Sequence, residues 1–499
     1  MEYLSCSDAS KAMGFSVRRI QQMCKNGELP GAIKEGRKWL IPDETIHMNH
    51  FAKNKSLPIG VSDFKLATTG YYYVDKTLMI RDFLDKKPMV SLFTRPRRFG
   101  KTLNMDMLRT YFEKSDKDTS VYFRDKKIWA CGQKYRDYQG KYPVIFLTFK
   151  DVKFDTWEET FAAIRDIFAK ETRRHKELLT SDKCDEYSKK TYEKLADGKV
   201  SEVELASALL DLSAMLHKHY AVAPIIIIDE YDTPIQQGYQ KDYYDKVIRF
   251  MRNLFSGGFK DNQHLSFGFL TGILRVAKES IFSGMNNLSI NSVLDNKYSA
   301  YFGFTADEVM EMAEYYGAAD KYDEICQWYD GYRFGYADVY CPWDVINYCD
   351  LLKADSEAHP QDYWSNTSGN AMVRRFIDKA DTRTRNEIEK LISGEEIVKE
   401  IRQELTYSEL DSSIENLWSV LFTTGYLTQR GQVGTDTFKL AIPNLEIRRL
   451  FIKQIREWFR ETFQSDGETL NEFCNAFPRQ NPKKIEELFG DYLWNTISI

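Results

Sequence analysis

The sequence contains no apolar run approaching the roughly 20 residues that cross a bilayer, so no transmembrane helix is expected. Its first residues, Met1 to Lys11, carry two acids and no apolar block, which excludes a secretory signal there. Cysteine is scarce: eight in 499 residues, scattered and without a C-x-x-C pair. That spacing excludes a disulfide scaffold and a zinc ribbon, and points to reduced thiols in a cytoplasmic protein. The seven histidines form no ligand cluster. A net charge of −5 gives no overall attraction to nucleic acid or to a membrane, so any DNA contact must be local. At 499 residues the chain is long enough for roughly three domains.

Against these absences stands Thr94-Arg95-Pro96-Arg97-Arg98-Phe99-Gly100-Lys101-Thr102, which ends in the Gly-Lys-Thr of a phosphate-binding P-loop. An apolar run, residues 88–93, precedes it, and Met105, Leu108 and Phe112 follow on one face of an expected helix. A strand, a loop of backbone N–H groups and a helix N-terminus are what phosphate binding needs. Lys101 would reach the β/γ-phosphates and the Thr102 hydroxyl would ligate Mg²⁺, with Arg98, Phe99 and Gly100 completing the cradle. The motif's first glycine is replaced by Arg95, so the loop must enter without the positive φ that glycine supplies, stiffened by Pro96.

A second half-site follows the β-branched run Pro224-Ile225-Ile226-Ile227-Ile228, which reads as a parallel strand buried on both faces. At its carboxyl end Asp229 would hold Mg²⁺ beside Thr102, and Glu230 would orient or deprotonate water. The acid pair points to P-loop ATPases that insert a strand between the P-loop strand and the Asp-bearing strand; residues 265–271 are the candidate. Thr271 at its tip would sense the γ-phosphate, and Arg275 would stabilise transition-state charge or serve as an ordinary surface arginine. Residues 144–149 and 287–293 supply two more strands. The expectation is a three-layer α/β domain with a mostly parallel five-stranded sheet.

Residues 1–52 read as a separate module. Residues 7–13 and 17–25 form two helices, and residues 31–42 form a hairpin turning at Glu35-Gly36. The pattern resembles excisionase and MerR-type winged helix-turn-helix domains. That resemblance implies duplex DNA as a partner, with Arg18 and Arg19 on the second helix and Lys34, Arg37 and Lys38 on the wing; protein docking is the alternative.

Residues 53–300 form the ATPase unit. Ile59-Gly60-Val61-Ser62-Asp63-Phe64, Tyr73-Val74-Asp75-Lys76-Thr77, the Arg-Pro-Arg-Arg-Phe-Gly-Lys loop, Ile228-Asp229-Glu230-Tyr231-Asp232-Thr233-Pro234, Trp328-Tyr329-Asp330-Gly331-Tyr332-Arg333-Phe334-Gly335 and Pro342-Trp343 together resemble the bacterial AAA-ATPase-like family of P-loop ATPases. The family carries the same arginines in its P-loop, and usually an Asn where this chain has Cys341. The resemblance implies ATP and Mg²⁺ as ligands.

Residues 301–365 read as a helical lid with Thr305 as N-cap and Glu308 at the capping-box position. Its aromatics Trp328, Tyr329, Tyr332 and Phe334 would cover adenine or form the lid's own core. Residues 366–465 read as a helical, winged-helix-like regulatory unit, and 466–499 as a C-terminal helical segment. Related family members often continue into a PD-(D/E)XK nuclease-like domain; no Asp…Glu-x-Lys site follows here, so no nuclease activity is expected. Three functions stay open: an ATP-hydrolysing regulator coupling nucleotide state to DNA or partner binding, a DNA-binding or docking protein holding ATP as a slow switch, and the ATPase half of a nuclease-linked defence or mobile-element system.

Overall fold

The computed structural model describes residues 3–13, 16–25, 29, 31–36, 38–43, 55–274, 281–282, 285–364, 370–405, 409, 413–462, 482–484 and 486–487. Arg37 and Arg275 lie outside the described residues, as does nearly all of the segment 466–499.

The N-terminal elements run β1 (Tyr3–Ser5), helices Cys6–Met13 and Val17–Lys25, β2 (Ile33–Glu35) and β3 (Lys38–Pro42). The strands pair antiparallel in the order β1-β3-β2, with Gly36 at φ +60° in the turn between β2 and β3. The sequence reading omitted β1, a three-residue strand too short to show an alternating pattern. Ala9, Ile20, Cys24, Leu29 and Ile41 form a small core of their own.

The central sheet contains β4 (Val90–Thr94), β5 (Val144–Thr148), β6 (Ile225–Asp229), β7 (Phe267–Gly272) and β8 (Leu288–Asn291). Its order is β5-β6-β7-β4-β8 and every pairing is parallel. Strand β7 therefore lies between the P-loop strand and the Asp229 strand. In β6, Ile225 and Ile227 enter one core with Phe83, Phe112 and Phe269. Ile226 and Ile228 enter the opposite core with Leu209, Phe255 and Leu270. Side chains alternate across a strand, so an uninterrupted isoleucine run is what a sheet covered on both faces requires. Helices Leu78–Lys86 and Lys101–Phe112 cover the first face; Trp157–Arg174, Ala208–Tyr220 and Tyr244–Phe259 cover the second.

In residues 301–365 helix Ala306–Tyr316 starts at a capping box formed by Thr305 and Glu308. The region is not wholly helical as the sequence reading has it. Between helices Tyr322–Tyr329 and Pro342–Ala354 it carries an antiparallel hairpin, β9 (Tyr332–Phe334) with β10 (Ala337–Val339). The buried Tyr332 and Phe334 alternate with Arg333, and Gly335 turns the chain at φ +53°. Period two over three residues is too short to distinguish from a helical turn.

Beyond residue 369, helices Asn370–Asp378, Thr382–Ser393, Ile414–Thr423 and Leu445–Thr462 surround an antiparallel sheet. Its order is β11 (Ile397–Glu400), β13 (Thr437–Ala441), β12 (Thr428–Gln432). Strand β11 was absent from the sequence reading. The helix Ile414–Thr423 is buried from Asn416 through Phe422, so this face serves packing. Among the described residues no helix is long and apolar enough to cross a membrane.

Candidate nucleotide site

Strand β4 delivers the loop Arg95–Gly100 into the first turn of helix Lys101–Phe112. Positive φ falls on Arg98 (+71°) and Gly100 (+79°), and Arg95 is not among the positive-φ residues. No glycine is needed at position 95 because the strand simply continues: the Arg95 N–H donates to the Gly272 carbonyl at 3.1 Å. The Arg95 side chain is fully buried. Its Nη1 donates to the carbonyls of Thr94 (2.8 Å) and Asn291 (2.7 Å), and its guanidinium lies between the rings of Phe302 (5.1 Å) and Phe334 (5.4 Å). Burial pushes this guanidinium down to about 9. Arg95 thus locks the end of the loop to the sheet and the lid.

Lys101 is buried, and its Nζ donates to the carbonyls of Arg95 (3.0 Å) and Pro96 (2.8 Å). Burial lowers its pKa, while Glu230 and Asp229 oppose the shift. The Thr102 hydroxyl donates to Asp229 Oδ2 at 2.9 Å, which joins the loop to the end of β6. Asp229 also accepts from Thr271 Oγ1 at Oδ1 (2.6 Å) and from Thr148 Oγ1 at Oδ2 (3.4 Å). Burial raises its pKa and the neighbouring Glu230 adds to the rise, whereas the Thr271 and Thr102 hydroxyls favour the carboxylate.

Glu230 sits at φ +52°, a conformation uncommon for a residue with a Cβ. It is held there locally. Its N–H donates to Thr271 Oγ1 at 3.1 Å, and its carboxylate accepts from Thr233 Oγ1 at 3.2 Å. Thr271 is wholly buried and ties Asp229 and Glu230 together through its single hydroxyl. Below them, Asp232 Oδ2 accepts from the N–H groups of Ile273 (2.8 Å) and Leu274 (3.0 Å), and the Tyr231 hydroxyl donates to the Leu274 carbonyl at 2.7 Å. Strands β6 and β7 are therefore braced where the acids emerge.

A cavity of about 300 Å³ opens beside this loop. Arg98 to Thr102 and Glu230 line it, together with Pro58, Val61, Tyr72, Val74, Phe304, Trp343 and Ile346. The lining thus combines the loop residues with Lys76, Asn104 and a set of apolar and aromatic side chains, a mixture that suits an organic ligand carrying anionic groups. The Arg98 guanidinium stacks on Trp343 at 4.8 Å and donates to the Tyr363 carbonyl. Phe99 is buried against Tyr332 and Phe334, with ring centroids 5.0 Å apart in each case.

Arg98, Phe99, Gly100, Lys101, Thr102, Asp229, Glu230 and Thr271 are gathered at one end of the sheet. Of the lid aromatics, Tyr329, Tyr332 and Phe334 are buried core, and Trp343 instead lines the cavity. Sequence reasoning gave no role to Thr148, Asp232 or Trp343. A signal existed for two of them, since Asp232 follows the acid pair directly and Trp343 belongs to Pro342-Trp343. In the N-terminal unit Arg18, Lys34 and Lys38 are exposed, and the Arg19 guanidinium lies 3.9 Å from the Glu311 carboxylate on the lid.

Comparison with known sequences agrees with this geometry. A protein of Azotobacter chroococcum mcd 1, described as an uncharacterized protein in the vnfD 5′ region, is 29% identical over 404 residues, covering 79% of this chain and 68% of that protein. Residues 58–282, which carry the loop, Asp229, Glu230 and Thr271, match the AAA-ATPase-like family, described as predicted AAA-ATPase.

Proposed function

We propose that this chain binds Mg-ATP and hydrolyses it. The observation that carries the reading is the 2.9 Å bond from Thr102 to Asp229, with Lys101 and Glu230 on either side. A hydroxyl beside a carboxylate is a donor set of hard oxygens that suits Mg²⁺, and the open space next to Gly100 leaves room for a phosphate to approach the backbone. Thr102 and Asp229 would hold the ion, which would supply positive charge to the phosphates. Lys101, freed from the Arg95 and Pro96 carbonyls, pairs with the same phosphates. Glu230 takes the proton of an attacking water, whose oxygen bonds to the γ-phosphorus as the bond to the β–γ bridging oxygen breaks, giving ADP and phosphate. Thr271 holds the Asp229 carboxylate and the Glu230 backbone, and Thr233 holds the Glu230 carboxylate, while this happens.

Hydrolysis is the step to measure. Steady-state turnover by the full chain should fall by a few powers of ten in Glu230→Gln with nucleotide affinity nearly intact, and Lys101→Ala should lose affinity itself. Parent-like turnover in both variants would show that the chemistry lies elsewhere.

The same proposal extends to coupling, in which residues 1–52 contact duplex DNA according to nucleotide state. It is supported by the exposed cations Arg18, Lys34 and Lys38 on one small module. DNA affinity of the full chain should fall with added salt with a slope set by a few neutralised phosphates, and turnover should respond to duplex. An anisotropy titration without binding at low salt would favour protein docking.

A further inference from the structure

Neither the P-loop nor the acid pair accounts for the segment Tyr73-Val74-Asp75-Lys76-Thr77. The structure gives its two charged residues different tasks. Asp75 is a brace: Oδ1 accepts from the Thr77 N–H (2.9 Å) and hydroxyl (2.6 Å), and Oδ2 accepts from the Lys127 N–H (2.7 Å), which ties the segment to helix Lys127–Ala130. Lys76 instead lines the cavity beside the P-loop. It is only 7% exposed, and its Nζ donates to the Glu308 carboxylate at 2.5 Å and to the Ala300 carbonyl at 2.8 Å. An ammonium carries three donors, so one is left over.

The charges around the cavity are unequal. Among the described residues that line it, Lys76, Arg98 and Lys101 are cations and Glu230 is the one acid. Arg98 is engaged by Trp343 and the Tyr363 carbonyl, and Lys101 belongs to the loop, so Lys76 is a cation brought by a separate element. A buried ammonium is costly without a partner. Glu308 supplies that partner from the first turn of the lid helix Ala306–Tyr316. Its Oε2 also accepts from the Thr305 N–H at 2.8 Å, so the carboxylate keeps a donor of its own when the ammonium turns to another anion.

We propose that Lys76 is a second nucleotide-binding cation, which takes a phosphate oxygen of ATP in exchange for the Glu308 carboxylate, so that nucleotide and lid helix compete for one ammonium. The proposal rests on the ATP reading above. It fixes a sign: Glu308, which does not line the cavity, weakens ATP binding by neutralising the charge the phosphate needs. An ion pair that only holds the lid in place has the opposite signature, because cutting it from either end loosens the site.

Affinity, measured apart from turnover, tests this. Full-length wild type, Lys76→Met, Glu308→Gln and the double variant would be titrated with a fluorescent ATP analogue in Mg²⁺, each after thermal unfolding has confirmed the fold. Lys76→Met should weaken binding roughly 10- to 100-fold, the range of a hydrogen bond to a charged group. Glutamine at position 308 still suits the capping box, so Glu308→Gln should tighten binding, by about threefold or more for neighbours coupled in this way. In the Lys76→Met background that gain should vanish. Unchanged or weaker binding in Glu308→Gln would overturn the Lys76 assignment, and so would an equal gain in both backgrounds, which would report only the general field of the carboxylate. Should Lys76→Met not fold, the direction of the change in Glu308→Gln decides alone. If the wild-type protein bound no ATP, the ATP reading itself would fail, and the two failures are thereby told apart.

Discussion

Gly272 ends β7 at the point where the brace beneath the two acids is tightest, and replacing it with alanine is the most direct probe of that brace. A Cβ there would lie 2.5 Å from Tyr231 Cε1, 2.8 Å from Asp232 Oδ1 and 2.9 Å from Asp232 Cγ. Neither neighbour can yield cheaply. Tyr231 is buried with its hydroxyl on the Leu274 carbonyl, and Asp232 is buried with Oδ2 on two N–H groups. Inserting a methyl group into such a site costs about 1–3 kcal/mol. For a unit of this size that is a fall of roughly 2–12 °C in the unfolding midpoint. Relief would come by shifting residues 230–232, so Glu230 would leave its left-handed conformation and ATP turnover should fall by more than tenfold. Gly70→Ala is the control: it ends a helix, is exposed, and its Cβ would meet only Leu66 Cδ1 at 3.9 Å, so neither midpoint nor turnover should drop. The assays are thermal unfolding by circular dichroism and steady-state phosphate release. A Gly272→Ala protein with wild-type midpoint and turnover would refute the argument that the Tyr231–Asp232 brace positions Glu230.

Trp343→Ala should weaken ATP and ADP alike by about tenfold, because an aromatic wall of the cavity and the ring that holds Arg98 are removed while Lys101 and Thr102 stay in place; unchanged affinity for both nucleotides would argue against a role of this wall in binding. Thr102→Val should keep the fold but lower Mg²⁺-dependent binding, read as the loss of the affinity gain that Mg²⁺ gives to ATP. The buried carboxyls of Asp344 and Glu446 make contact with each other, and burial is the main force raising both, to about 7 and about 9. Since these values exceed the unfolded ones, near 4, the pair's stabilisation is complete below about pH 4 and is lost as pH rises through the folded values. The unfolding midpoint should therefore fall between pH 6 and pH 9, and Glu446→Gln should flatten that dependence; an unchanged slope in the variant would locate the titration elsewhere.

What the sequence alone determined is local. The isoleucine run that forms β6 carries its own evidence, since only a strand covered on both faces needs four such residues followed at once by two acids. Gly100-Lys101-Thr102 between an apolar run and a periodic helix likewise places a phosphate-type loop without reference to distant residues, and the acid pair at the end of β6 indicates its partner. Tertiary structure decided the remainder. Arg95 stands in the sequence where the P-loop motif has its first glycine, a trait shared with the family it resembles, and its role appears when Asn291, Phe302 and Phe334, some 200 residues away, enclose its guanidinium. Thr271 reads as a sensor tip, but its hydroxyl is shared by Asp229 and the Glu230 N–H once β7 lies beside β6. The β9–β10 hairpin and β11 are strands of three and four residues, whose patterns are too short to stand out until their partners pair with them. The different surroundings of Arg95 and Arg98 are invisible in the string Arg-Pro-Arg-Arg, because identical side chains are distinguished by the groups that fold against them, and those groups come from the sheet and the lid.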